Sequence, residues 1–92
     1  MKEISLEQLD QLLKENPALK LVDVREPYEH KAFNIGGQLI PLGDIISRAE
    51  EIEKNEPVIV YCRKGVRSAI AIQRLEEKFG FQNLINLSGG VG

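Results

Sequence analysis

The sequence predicts an α/β domain with a mostly parallel sheet of four to five strands and helices on both faces. Three observations carry this. Val58-Ile59-Val60-Tyr61 is a wholly apolar, β-favouring run, and a strand without polar alternation belongs inside a parallel sheet covered on both sides. Apolar residues recur at helical spacing before and after that run, so strands and helices alternate along the chain. Finally, 92 residues that are 42% hydrophobic and 28% charged describe one ordinary globular domain, residues 1–92. A chain of that size buries roughly two thirds of its unfolded surface.

Taken in order, Ser5 opens the first helix, with Gln8 three residues on to complete a capping box and Ile4 placed to staple onto Leu9. Leu6, Leu9 and Leu13 form a core-facing stripe that Asn16-Pro17 ends. Leu19 to Val24 reads as a strand with Asp23 and Arg25 at its end, where strands of this architecture face a site. These two charges could reach the central loop, or form a structural ion pair at the strand-to-helix corner; the residues favour the pair. Pro27 starts a short helix through Ala32, and Gly36-Gly37 turns into a short strand at Leu39-Ile40. Asp44 is expected to cap a third helix whose apolar face is Ile45, Ile46, Ala49 and Ile52, ended by Asn55-Glu56-Pro57. Ala69, Ile72, Leu75 and Phe79 mark the last helix up to Gly80, and Leu84-Ile85 the last strand.

The chemistry is concentrated where the apolar strand ends. Cys62, the only cysteine, follows Tyr61, and a short loop containing Gly65 leads to the helix that begins near Val66. A loop curled around the sulfur would aim its N–H groups and the helix start at one point, and Arg63, Lys64 and Arg67 add full positive charge. Each effect favours the thiolate, so Cys62 is expected to ionise below the ordinary thiol value. A lone cysteine can also be an inert, buried hydrophobe. Cys62 differs from that case in lying just after an apolar run and just before two cations. His30 lies between Glu29 and Lys31 and reads as a surface residue rather than a general base for Cys62, which weakens a cysteine-protease reading, since that needs a histidine paired to the thiol.

This stretch resembles the active-site loop of the rhodanese-like domains, the cysteine sulfurtransferases. Further pieces similar to that family follow the expected order: Leu21 to Glu29, Asn34 to Leu42, Gly80 to Leu84, and Leu87-Ser88-Gly89-Gly90. The resemblance implies a three-layer sandwich in which Cys62 is the nucleophile that carries sulfur as a persulfide, surrounded by Arg63, Lys64, Gly65, Val66 and Arg67. It implies thiosulfate or a protein persulfide as donor, and a thiol, cyanide or a sulfur-carrier protein as acceptor. Related phosphatases have a loop one residue longer; here four residues separate Cys62 from Arg67, which favours sulfur over phosphate. The family's usual Gly-His-Ile-Pro-Gly-Ala turn is replaced by Phe33-Asn34-Ile35-Gly36-Gly37-Gln38. In this the chain looks like the rhodanese domain attached to adenylating enzymes that activate sulfur carriers. That likeness offers a second reading, a docking or sulfur-carrier module without turnover of its own. The tryptophan and final helix that usually follow the Gly-Gly are absent from the sequence, which ends at Gly92.

Composition excludes other classes. A net charge of −2 recruits neither nucleic acid nor an anionic membrane, and no apolar run is long enough to span a bilayer. One histidine and one cysteine cannot build a zinc or iron–sulfur site without other chains, so no metal and no cofactor are expected. An unpaired cysteine and the lack of a signal peptide point to a reducing cytoplasm.

Overall fold

The computed structural model describes residues 1–92. Five strands form one parallel sheet: β1 (Glu3–Ile4), β2 (Lys20–Asp23), β3 (Gln38–Leu39), β4 (Val58–Tyr61) and β5 (Leu84–Leu87), in the order β1-β5-β4-β2-β3. The apolar run is therefore the central strand, as its lack of alternation requires. Its side chains separate by parity. Val58 and Val60, continued by Cys62, join a core with Val22, Ile72 and Leu75, while Ile59 and Tyr61 face a second core with Leu9, Leu21, Ile85 and Leu87. Helix α3 (Val66–Phe79) covers the first face and α1 (Leu6–Glu15) the second, giving the three layers.

Helix α1 starts as its sequence specifies. Ser5 Oγ accepts from the Gln8 N–H at 3.1 Å, and Gln8 Oε1 accepts from the Ser5 N–H at 2.8 Å. Of its leucine stripe, Leu9 is fully buried and Leu13 packs at the core margin, but Leu6 is exposed. Helix α2 (Pro27–Ala32) places Pro27 in its first turn.

Two expectations are corrected. The third helix is replaced by two 3₁₀ turns, Leu42–Asp44 and Ala49–Glu51, and Asp44 lies inside the first rather than capping it. Ile45, Ala49 and Ile52 are nevertheless buried, so the apolar spacing was sound while the backbone was not α-helical. Gly43, the β-branched Ile45 and Ile46, and Ser47, whose Oγ donates to the Asp44 carbonyl at 3.1 Å, all work against a regular helix there. In α3 the buried stripe is Ser68, Ala71, Ile72 and Leu75, whereas Phe79 is exposed and packs edge-on against Phe81. Small residues at the head of α3 let it approach the sheet closely, next to Cys62. No helix of the chain is long and apolar enough to cross a membrane.

Candidate active site

Cys62 follows the carboxyl end of β4 and is 1% exposed. The chain then curls back so that Sγ accepts from the Gly65 N–H at 3.1 Å and from the Ser68 N–H at 3.4 Å, with Ser68 Oγ also 3.4 Å away. That curl needs Gly65. Its φ is +89°, and a Cβ there would press on the Gly89 backbone. The C-terminal segment straps the loop from outside: the Val91 and Gly92 N–H groups donate to the Cys62 and Arg63 carbonyls at 3.0 and 2.9 Å. Gly90, with φ +66°, lies directly against those carbonyls and leaves no room for a side chain.

Burial pushes the Cys62 thiol up. The Ser68 hydroxyl and the N–H groups of Ser68, Lys64 and Gly65 more than offset this and hold it below the ordinary value. A cleft of about 260 Å³, lined by Cys62, Arg63, Lys64, Val66 and Arg67, opens on the loop. A neighbouring cleft of about 220 Å³ includes Arg25, Tyr28, Phe33 and Arg63, so Arg63 joins the two. A larger groove, about 750 Å³, lies between Lys20, Val58 and Glu50 to Lys54, at the amino ends of β2 and β4, away from the thiol. No cluster of three or more His, Cys, Asp or Glu side chains converges anywhere in the structure.

The profile of the rhodanese-like domain matches residues 5–92. This chain belongs to the rhodanese-like domain family. A sulfurtransferase of Allochromatium vinosum is 38% identical over 90 residues, covering 97% of this chain and 83% of that one. The chain spans about half the length of some relatives, 48% of Bacillus subtilis YrkF at 36% identity over 97% of this chain. The expected likeness to domains of adenylating enzymes also holds: the adenylyltransferase and sulfurtransferase MOCS3-1 of Drosophila pseudoobscura is 29% identical over 96% of this chain, which covers 21% of that protein. Among solved structures, a rhodanese-like domain protein from Staphylococcus aureus superposes with a TM-score of 0.87 at 33% identity, covering 98% of this chain and 87% of that one.

Within this rhodanese-like site the structure distributes the expected residues unevenly. Cys62, Gly65 and Val66 build the loop and the cleft, and Arg63 and Lys64 stand exposed there without a carboxylate partner. Arg67 is committed elsewhere: its guanidinium forks onto the Glu29 carboxylate at 2.7 and 2.9 Å, tying the head of α3 to α2 rather than touching the sulfur. Asp23 and Arg25 form the structural ion pair expected at the strand-to-helix corner, buried and 2.9 Å long, and neither touches Sγ. His30 is corrected: it is no free surface residue, since its Nδ1 sits 2.8 Å from Asp23 Oδ2. Two buried residues were not anticipated: Ser68, which meets the thiol, and Asn86, which lies behind Ser68.

The Arg67 fork holds the Glu29 carboxyl down to about 2. An ordinary glutamate titrates at about 4.3. A carboxyl depressed in the folded state contributes stability that is full above the unfolded value and is lost as pH falls through the folded one. Asp23 is shifted in the same sense: burial raises it, but hydrogen bonds from Arg25 and His30 bring it below its ordinary value. The thermal midpoint should therefore fall as pH drops from about 5 toward 2, and Glu29→Gln should flatten that fall. Melting curves across this range test it; equal slopes in variant and parent would show that the fork adds nothing.

Proposed function

We propose that this chain transfers sulfane sulfur as a persulfide on Cys62. The observation that carries the reading is the sulfur itself: a single buried thiol, at the end of a central parallel strand, receiving two backbone N–H groups and opening on two unpaired cations. In the first step the Cys62 thiolate attacks the outer sulfur of thiosulfate. A new S–S bond forms, the old one breaks, and sulfite departs with the electron pair. The resulting anionic outer sulfur occupies the cleft, where Arg63 and Lys64 offset its charge. A nucleophilic acceptor, a thiolate or cyanide, then attacks that sulfur and returns Cys62 as thiolate. Splitting the transfer into two displacements keeps each barrier lower, and the fixed N–H groups stabilise sulfur's negative charge without reorganising.

A protein persulfide can replace thiosulfate as donor in the same scheme. The rim supports that choice, because Tyr28, Phe33 and Val66 are 73%, 56% and 63% exposed around the cations, an amphipathic surface suited to another protein. The test is an intact mass under non-reducing conditions after incubation with thiosulfate, and separately with a persulfidated protein. The mass should rise by one sulfur atom and return on addition of cyanide. Loading by the protein persulfide alone would assign the chain to protein-to-protein relay, and loading by neither would overturn the proposal.

Arg63→Ala combined with Lys64→Ala should raise the KM for thiosulfate about tenfold, the size of two partly exposed charge contacts, and leave kcat nearly unchanged. An unaltered KM would remove both residues from donor binding.

A further inference from the structure

Asn86 lies in the middle of β5, 2% exposed, among Leu84, Ile85 and Leu87. A buried amide in such a strand must be satisfied on every side, and this one is. Its Nδ2 faces two acceptors, the Gly65 carbonyl at 3.2 Å and a Glu3 carboxylate oxygen at 3.1 Å. Both can only accept, so that end of the amide is the NH₂ group and the Oδ1 end faces α3. There Oδ1 accepts a short hydrogen bond from the Ser68 hydroxyl. The same hydroxyl oxygen sits 3.4 Å from Cys62 Sγ.

Ser68 has one hydroxyl proton and two groups that can take it. While Cys62 is a thiol there is no conflict: S–H donates to Ser68 Oγ, and Ser68 O–H donates to Asn86 Oδ1. Once the thiol proton has left to a solvent base, the thiolate can only accept. The Ser68 proton must then either turn to the sulfur, leaving Asn86 Oδ1 short of a bond, or stay with Asn86 and leave the sulfur to its backbone donors.

We propose that Asn86 is a positioning residue that governs the nucleophilicity of Cys62 by competing with its sulfur for the Ser68 hydroxyl proton. The inference rests on the reading of Cys62 as the reactive thiol, and goes beyond it by assigning control to a side chain that does not touch the sulfur.

The charges around the thiol are Arg63 and Lys64 on the loop, and Arg67 on α3, paired with Glu29 of α2. On the β2 side stands the Asp23, Arg25 and His30 cluster, and Glu3 of β1 lies behind Asn86. Asn86→Ala and Asn86→Leu change none of these charges; the leucine also keeps the branched outline of the side chain.

The experiment is the pH profile of Cys62 alkylation by iodoacetamide, which needs no sulfur donor and reads one site because Cys62 is the only cysteine. Removing the competing acceptor frees the Ser68 proton for the thiolate. Asn86→Ala and Asn86→Leu should each move the profile to lower pH by roughly half to one unit, the size of one hydrogen bond. In a Ser68→Ala background the same substitutions should produce no shift. A shift to higher pH, no shift with Ser68 present, or an equal shift without Ser68 would each overturn the proposal. In the unmodified protein, the Asn86 side-chain amide signal in a ¹⁵N spectrum should titrate with the alkylation midpoint, a check that holds even if both variants unfold; a static signal would overturn it as well. A normal alkylation profile in a protein that takes up no sulfur would count against the proposed function and leave this inference standing.

Discussion

Cys62→Ser is expected to yield a folded domain that takes up no sulfur from any donor. The substitution removes the only sulfur nucleophile in the chain. An alcohol cannot replace it, because a serine hydroxyl stays protonated, whereas the Ser68 hydroxyl and the loop N–H groups hold the Cys62 thiol below its ordinary value and favour the thiolate. The fold should survive. Cys62 contributes a small side chain to a core of fourteen buried residues, and serine can accept from the same Gly65 and Ser68 N–H groups. The thermal midpoint should move by only a few degrees while sulfur loading, read by intact mass, falls to zero. Loading that persists in Cys62→Ser would place the sulfur elsewhere and end the proposed mechanism, whereas loss of the folded state would make Cys62 structural first.

What was legible beforehand follows the range of the forces involved. The central strand, the loop after it and the capping box of α1 depend on residues close together in sequence, and so they could be read from Val58 to Ser68 and from Ser5 to Gln8. The partner of Arg67 could not, because Glu29 lies 38 positions away and looks like any solvated helix charge until α2 and α3 are side by side. His30 misled for a related reason: its neighbours Glu29 and Lys31 suggest solvent, yet the ring turns inward to Asp23. Asn86 does carry a signal in the sequence, a single amide within an otherwise apolar strand, which calls for buried partners. The residues from Asp44 to Ile52 kept helical spacing without helical hydrogen bonding, since burial selects which side chains face the core and tolerates several backbones that deliver them.

Asp23→Ala should be the most destabilising single change near the site. Asp23 is 0% exposed, and its carboxylate accepts from Arg25 Nε, from the Arg25 guanidinium at 2.9 Å, from the Arg25 backbone N–H at 3.0 Å and from His30. Taking the carboxylate away leaves the Arg25 cation buried, with the Phe33 carbonyl and the face of Tyr61, 5.6 Å away, as its remaining partners. Breaking a buried pair from one side costs about 3–5 kcal/mol, because the surviving charge is stranded. Domains of this size have only about 5–14 kcal/mol in total. The melting midpoint should drop by more than about 10 °C, and α2, which carries Glu29 to Arg67, should loosen with it. Asp23→Asn, which keeps an acceptor for Arg25 but not the charge, should lose less than Asp23→Ala. If Asp23→Ala melts within a few degrees of the parent, the buried pair is not what holds this corner.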